Sequence, residues 1–451
     1  MPILCHRPNT DRRDRMGKTK RTIMITTAAL LICACIMISM IQGSDAESEG
    51  PTEDTGSISW ILVSSMLVFA MLPGIAFFYG GMLRKQSISS MITQTLMAIG
   101  VMMISWTVVG YSLSFSGDGT IIGNLDHMFL IGVTENAPSG ISDMEFAIFQ
   151  GMFAMVTAAI VLGACAERIR YTAMVWFLII WSVLVYAPMA HWVWGGGLFD
   201  QYLTVLDYAG GTVVHICAGI TGIALVLFAG KRSEAVRNSR AHNIPMAFLG
   251  CALLWIGWIG FNGGSSLAAD GMAVRSIMVT MISAACGMMS WFVVQYYKVG
   301  RVGVLGMIAG SIAGLVGITP AAGYVGIPEA MLIGVVSGVL CFYSVRFTKG
   351  REKLDDALDV FAVHGVGGIW GAIATGILAN PDYADGVAGL IYGSADLLIG
   401  QTIAVIITLV FCFAVSYGII FVLSKFMRIR VTEEEMLIGQ DLIEHGENAY
   451  M

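Results

Sequence analysis

Residues 215–222 read HICAGITG and residues 364–371 read HGVGGIWG. Both stretches follow the pattern H-x-x-x-G-I-x-G, and both lie in apolar segments. A histidine inside a membrane segment is costly and usually lies on a substrate or proton path. The alternative is a pair of packing histidines whose nitrogens bond to neighbouring carbonyls. Because the motif occurs twice, it indicates a duplicated membrane core with its site where the two halves meet.

The composition is typical of a polytopic membrane protein. Of the 451 residues, 56% are hydrophobic and 12% are charged, and the chain has 54 glycines, which allow close packing of membrane helices. We find no basic domain of the kind that binds nucleic acid. We also find no nucleophile–base set, metal-ligand spacing or nucleotide-binding loop in the sequence. We therefore predict a protein that is not an enzyme, uses no cofactor and does not bind nucleic acid.

Residues 1–46 resemble a cleaved signal peptide. A basic stretch precedes an apolar run from Ile23 to Ile41, and Ser44 and Ala46 place small residues where a signal peptidase cleaves. An uncleaved additional helix is the competing interpretation. We accordingly predict three regions: a signal peptide over 1–46, a membrane domain over 47–430 and a cytoplasmic tail over 431–451.

Eleven apolar stretches after the leader are long enough to cross a bilayer as helices. They cover residues 57–82, 87–112, 145–166, 171–192, 210–230, 244–268, 275–297, 302–319, 328–346, 359–380 and 395–425. The sequence therefore predicts an all-α, polytopic membrane protein with eleven transmembrane helices.

Basic residues alternate between the connecting segments. After the leader, the Lys and Arg residues lie in or beside the connections that follow odd-numbered spans. Lys353 is one of them, and Arg275 is the single exception. Positive charge favours the cytoplasmic side, so we predict a multi-pass protein of the cytoplasmic membrane with the mature N-terminus outside and the C-terminus in the cytoplasm. Spans 1–5 and 6–10 then enter from opposite sides, which predicts an inverted 5+5 repeat with a final helix appended.

Aromatic residues cluster at the outer ends of several spans. Phe149 and Phe153 share one helix face, Phe261 and Ser265 share another, and Trp194 lies near an outer end. A cage of aromatic faces with one hydroxyl suits a small cation. Ordinary helix packing and membrane anchoring by tryptophan are the alternatives.

Two aspartates precede the histidine-containing spans. Asp207 begins span 5 and Asp359 begins span 10 from the opposite side. Each carboxylate could cap its helix by accepting backbone N–H hydrogen bonds, or it could attract a cation. Capping is the favoured interpretation for both.

Seven strings together resemble the ammonium transporter family, which is called Amt or Mep and is related to the Rh proteins. They are AERIR (166–170), AHWVWGGG (190–197), DYAGGTVVHI (207–216), GWIGFNGGSS (257–266), GITPAAGYVG (317–326), DVFAVHGVGGI (359–369) and HGENAY (445–450). The strings occur in order over the whole predicted mature chain. In the tail, Gln440 departs from the GLD sequence of many relatives.

The resemblance implies a homotrimer whose protomers each contain a pore for ammonium or ammonia. It places a recruitment site at Phe153, Trp194 and Ser265, a stacked gate at Phe149 and Phe261, and twin pore histidines at His215 and His364. Asp207 matches the essential aspartate of the family. The inner loops and tail resemble those that a trimeric PII protein of the GlnK type gates.

These features predict ammonium uptake by recruitment, deprotonation and passage of ammonia, with a proton relay through the histidines as one option. Two alternatives stay open: a neutral ammonia or carbon dioxide channel of the Rh type, and an ammonium sensor that signals through its tail. A membrane enzyme is the weakest alternative.

Overall fold

The computed structural model describes residues 54–136, 140–351 and 354–450. The predicted signal peptide over 1–46 lies outside these residues, as does Lys353. Regular structure within the described ranges is helical, apart from an isolated antiparallel bridge between Ile169 and Arg430.

The described part of the chain contains eleven apolar helices that form one bundle. They are α1 (Thr55–Met82), α2 (Lys85–Phe115), α3 (Asp143–Ala164), α4 (Tyr171–Tyr202), α5 (Gly211–Ala229), α6 (Ile244–Ser266), α7 (Gly271–Val299), α8 (Val304–Ile318), α9 (Ile327–Lys349), α10 (Phe361–Leu378) and α11 (Asp396–Leu423). Ten are long and apolar enough to cross a membrane, and α8 is shorter. The predicted fold class is confirmed, with helix ends a few residues from those expected.

Polar residues at the helix starts explain why several helices begin where they do. The Asp54 carboxylate accepts hydrogen bonds from the backbone N–H groups of Gly56 and Ser57 and so caps α1. Ser142 and Glu145 form a reciprocal capping box at the start of α3. These side chains satisfy N–H groups that the first helical turn leaves without partners.

Glycines bring the corresponding helices of the two halves together. A Cβ at Gly250 in α6 would lie 2.2 Å from the backbone N of Phe78 in α1, and a Cβ at Gly219 in α5 would lie 2.5 Å from the Cα of Gly365 in α10. Residues without a Cβ are therefore required at these crossings. The pairs α1/α6 and α5/α10 are the first and the last helices of the two predicted repeats, so both crossings agree with inverted five-helix halves.

Basic loops gather at one end of the bundle, here called the basic face. Glu167 accepts hydrogen bonds from Arg84 at 2.8 Å and from Arg232 at 3.0 Å, and Arg232 also bonds to Asp355 at 2.9 Å. Burial disfavours the ionised form of Asp355, but the hydrogen bonds and positive charge of Arg232 outweigh the effect of burial. The pKa of Asp355 is therefore lowered to about 2. This network joins the loops that follow α1, α3, α5 and α9.

The tail packs on the basic face. After α12 (Glu433–Ile438), the Asp441 carboxylate accepts hydrogen bonds from the backbone N–H groups of Ile88 and Ser90. Arg170 forms ion pairs with Glu435 at 2.6 Å and Glu444 at 3.0 Å.

Gln440 in the tail also has a structural role. The Gln440 side chain is buried and donates a hydrogen bond to the Ile169 carbonyl. Gln440 thus helps to attach the tail to the loop after α3.

Candidate functional site

The two histidines of the repeated motif meet inside the bundle. Their Nδ1 atoms lie 3.2 Å apart, and the relative exposure is 0% for His215 and 7% for His364. When both rings are neutral, one Nδ1 donates to the other, so one Nε2 is left as a donor and the other as an acceptor. Nε2 of His215 is buried and has no hydrogen-bond partner in the described part of the chain. The pair can therefore offer hydrogen bonds to a small polar molecule.

Matching helical segments position the two rings. His215 lies in a π-helical turn (Gly211–Ile216) before a regular α-helix, and His364 lies in the corresponding turn (Phe361–Gly365) of α10. A Cβ at Gly368 would lie 3.1 Å from Cβ of His215. Wide turns are frequent at functional sites, and the absence of a side chain at Gly368 leaves room for the imidazole.

Aromatic rings continue from the histidine pair toward the end of the bundle opposite the basic face. Phe261 lies 6.0 Å from His215, Phe153 stacks on Phe261 at 4.2 Å with an interplanar angle of 26°, and Trp194 meets Phe153 edge-on at 6.0 Å. The five rings lie one after another in a row, which we call the ring file: Trp194, Phe153, Phe261, His215 and His364. The file links the predicted recruitment residues to both histidines.

The predicted partner of Phe261 in the stacked pair is wrong. The ring stacked on Phe261 belongs to Phe153, whereas Phe149 meets Phe153 edge-on at 5.0 Å with an angle of 68°. Phe149 instead lies against α6, where a Cβ at Gly264 would be 2.8 Å from its ring. Spacing along α3 places both phenylalanines on one face but does not determine which ring stacks on Phe261.

The proposed recruitment residues lie near one another at the end opposite the basic face. Trp194 is partly buried, and its indole N–H donates to the backbone carbonyl of Asp207 at 2.8 Å. Ser265 is also partly buried, and its hydroxyl donates to the Phe261 carbonyl at 2.8 Å, which places the hydroxyl beside the ring file. A hydroxyl that donates in this way keeps oxygen lone pairs free to accept from a cation.

Asp207 caps the turn that carries His215. Its carboxylate accepts hydrogen bonds from the backbone N–H groups of Gly210, Gly211 and Thr212 at 2.7–2.9 Å. Burial raises the pKa of Asp207, and the three backbone donors oppose that shift. The favoured interpretation of Asp207 as a cap agrees with this geometry.

The corresponding cap in the second half is Asp356, so the capping prediction for Asp359 is wrong. Asp356 accepts from the backbone N–H groups of Val360 and Phe361 at 3.0 and 2.7 Å. It precedes His364 by the same number of residues as Asp207 precedes His215. Among the described residues, the Asp359 side chain accepts no N–H of the turn: its backbone φ is 60°, Oδ2 bonds to Lys349 Nζ at 2.8 Å, and Oδ1 has no partner.

Two residues at this site were missed in the sequence. Trp258 stacks over His215 at 5.5 Å with an angle of 21° and donates to the hydroxyl of Thr319. It precedes Phe261 by three positions, so helical periodicity could have placed both on one face. Asp356 could have been found by matching the Asp-to-His spacing of the two halves.

A model of the Ammonium Transporter Family matches residues 59–450. The chain belongs to the ammonium transporter family. Among its relatives, the ammonium transporter Amt1 of Archaeoglobus fulgidus is 42% identical over 397 residues, which cover 88% of this chain and 99% of that protein.

Solved structures of the ammonium transporter family share the fold. The crystal structure of Candida albicans Mep2 is 35% identical, has a TM-score of 0.80, and aligns with 88% of this chain and 90% of its own. A structure described as a sensor Amt protein is 28% identical with a TM-score of 0.80 and covers 87% of this chain and 98% of its own. Family membership and fold make this chain a multi-pass membrane transport protein.

Proposed function

We propose that the protein takes up ammonium across the cytoplasmic membrane, with the mature N-terminus outside and the C-terminus in the cytoplasm. Ammonium is recruited at Phe153, Trp194 and Ser265, loses its proton, and crosses as ammonia past Phe153, Phe261 and the histidine pair. The observation that carries this proposal is the ring file, because it connects a site suited to a cation with one suited to a neutral hydrogen-bonding molecule.

Recruitment relies on charge and aromatic faces. A desolvated cation over an indole or phenyl ring gains about 2 kcal/mol, and the Ser265 oxygen can accept one ammonium N–H hydrogen bond. The carbonyl of Asp207 fixes the Trp194 ring through the indole N–H. The buried Asp207 carboxylate adds negative charge at the same end, which favours a cation.

Deprotonation explains how ammonium is distinguished from potassium. The two ions are close in size, so a cage alone separates them poorly. Removing a proton from ammonium gives a neutral molecule, which avoids the cost of several kcal/mol for a charge at the bilayer centre. Potassium carries no proton to release. The unpartnered Nε2 of His215 can hold ammonia, and the Nδ1–Nδ1 contact with His364 supplies a path for a proton.

Current recording together with uptake tests this proposal. The purified protein in liposomes should carry charge and accumulate label with ammonium and methylammonium but not with potassium. Uptake of ammonia without current would instead favour the neutral channel of the Rh type. Equal currents with ammonium and potassium would refute deprotonation as the source of selectivity.

A second candidate function is ammonium sensing through the tail. The tail contacts the start of α2 and the loops after α3 and α5, through Asp441 with Ser90, Gln440 with Ile169, and Tyr450 with His242 at 3.1 Å. The shared fold with a structure described as a sensor Amt protein also favours this candidate. A sensor should signal through its tail even when a pore variant abolishes transport, and loss of signalling in parallel with transport would contradict it.

The inner loops and tail also suit regulation by a PII protein of the GlnK type. A loop of that trimeric partner would enter the mouth at the basic face and block the pore. Deleting residues 431–451 should alter the response to the partner while the bundle stays folded. Membranes that never retain a PII protein under any nucleotide condition would rule the partner out.

We also propose a homotrimer in the bilayer. Apolar side chains are exposed on α1, α7 and α9, among them Met66 at 64%, Val274 at 69% and Met331 at 48%. Such surfaces suit lipid or neighbouring subunits. Native mass spectrometry from membranes should give three chains per particle, and a persistent monomer would contradict the trimer.

A further inference from the structure

A cavity of about 270 Å³ lies between His364 and the basic face. Its walls include Tyr79, Trp291 and Phe342, and the charged residues along it are Arg346, Lys349 and Asp359. A water molecule occupies about 30 Å³ in the liquid, so the cavity has room for an ammonium ion with several waters. The cavity thus receives whatever passes His364 on its way to the basic face.

Asp359 is built into this cavity without a role in capping. Its residue exposure is 9%, and Oδ1 is buried with no hydrogen-bond partner among the described residues. The backbone φ of 60° is a conformation that aspartate, asparagine and glycine tolerate better than other residues. Because Asp356 caps the helix, the Asp359 carboxylate is free of that role, and its Oδ1 has no structural partner in the described part of the chain.

Lys349 is the counter-ion of the other carboxylate oxygen. Its Nζ lies 2.8 Å from Oδ2 of Asp359, but the side chain of Lys349 is 59% exposed. An exposed lysine in an ion pair contributes little to stability and moves readily. A small cation in the cavity can therefore displace Lys349 from the carboxylate of Asp359, whose side chain is 12% exposed.

We propose that Asp359 and this cavity form a second ammonium-binding site on the cytoplasmic side of the histidine pair. The inference rests on the proposed function, because ammonia that has passed His364 must regain a proton before it leaves as ammonium. Ammonium fits this carboxylate because, like the Lys349 ammonium group that it displaces, it supplies both N–H donors and a compensating positive charge. The site would hold the ion after reprotonation and would bind ammonium that enters from the cytoplasm.

The test compares the two sides of the membrane. Ammonium-driven currents of the full-length protein are recorded in outside-out and inside-out patches, and the half-saturating ammonium concentration is measured for each side. Asp359→Asn and Asp359→Gly both tolerate the left-handed backbone while removing the charge. Each should raise the cytoplasmic value about tenfold, as expected for the loss of one charge-assisted hydrogen bond, and leave the outer value unchanged.

Three further variants make the result specific. Asp359→Glu should restore part of the cytoplasmic affinity, and Lys349→Met should lower the cytoplasmic half-saturating concentration because it removes the competing cation. Asp382→Asn removes an exposed carboxylate at the opposite end of the bundle. It should leave the half-saturating ammonium concentration unchanged on both sides of the membrane. Thermal unfolding confirms that each variant is folded.

Unchanged cytoplasmic values in Asp359→Asn and Asp359→Gly would overturn the inner site, as would equal shifts on both sides. If those variants do not fold, an unchanged cytoplasmic value in Lys349→Met overturns it. A wild-type protein without ammonium current from the outer side would refute the proposed function, and the inner site with it, so the two failures are distinguishable.

Discussion

The Nδ1 atoms of His215 and His364 lie 3.2 Å apart although 149 residues separate them in the chain. The pair forms where α5 and α10 cross at Gly219 and Gly365. One proton shared between the rings makes each residue dependent on the other, so a change at either should alter which species crosses.

The first prediction concerns this pair. His215→Ala or His364→Ala should lose most of the ammonium-driven current, or keep a current that potassium also carries once water enters the enlarged space. His364→Glu should be milder because a carboxylate still exchanges protons. The ammonium-to-potassium current ratio and the trimer yield are measured in the same preparations. Normal selectivity in a well-assembled double alanine variant would refute the proton relay. Loss of trimer assembly would instead indicate that the two histidines serve only in packing.

The second prediction concerns recruitment. Trp194→Leu removes an indole that lies beside Phe153 and should weaken selection for the cation over neutral species. Ser265→Ala should raise the half-saturating ammonium concentration by about tenfold or less, because water replaces part of one hydrogen bond to a charged group. Concentration dependence of uptake is measured for both. If both variants give the same concentration dependence as the wild type, the aromatic cage is not the recruitment site.

The third prediction distinguishes the two phenylalanines of α3. Phe153→Ala removes the ring stacked on Phe261 and should let water and potassium enter, so the potassium share of the current rises. Phe149→Leu is the matched control, because Phe149 contacts Phe153 only edge-on and should leave selectivity near that of the wild type. Greater potassium leakage in the Phe149 variant would contradict the stacked pair seen here.

The fourth prediction concerns the crossing of α5 and α10. Gly219→Ala places a methyl group 2.5 Å from the Cα of Gly365, so the helices must separate. Overpacking of this kind costs about 1–3 kcal/mol and should also displace both histidines. Gly418→Ala in α11 is the control, since a Cβ there meets no atom of the described residues within 4 Å. Unfolding midpoints and currents are compared, and equal values in the two variants would refute the close crossing.

The fifth prediction concerns pH and the buried network of the basic face. Asp355→Asn removes the carboxylate paired with the buried Arg168 and leaves Arg232 with Glu167, which should lower the free energy of unfolding by about 3–5 kcal/mol at neutral pH. The pKa of Asp355 is lowered from 3.8 to about 2 in the folded protein. Its stabilisation is therefore present above pH 3.8 and is lost as the pH falls through 2.

The difference in thermal midpoint between wild type and Asp355→Asn should narrow between pH 6 and pH 2. Asp382→Asn, which changes an exposed carboxylate, should differ little from wild type over the same range. A difference that stays constant down to pH 2 would show that ionisation of Asp355 does not stabilise the folded state.

The sequence by itself determined the eleven helices and the two equivalent histidines. The length of an apolar stretch determines whether it can cross a bilayer as a helix. Because this property is local, the membrane helices could be predicted without knowledge of any tertiary contact. The repeated His–Gly pattern is equally local. The family was also recognisable, because its strings occur in order from AERIR to HGENAY.

Only the tertiary structure decided which side chains meet. Helical periodicity placed Phe149 and Phe153 on one face, but the rotation and crossing of α3 and α6 determined that Phe153 stacks on Phe261. Likewise, an aspartate near a helix start is a plausible cap, yet in the folded chain Asp356 caps the turn, and Oδ1 of Asp359 has no hydrogen-bond partner within the described ranges. The physical reason is that contacts between distant helices depend on their packing geometry, which glycines such as Gly219 set through close approach and not through any local pattern.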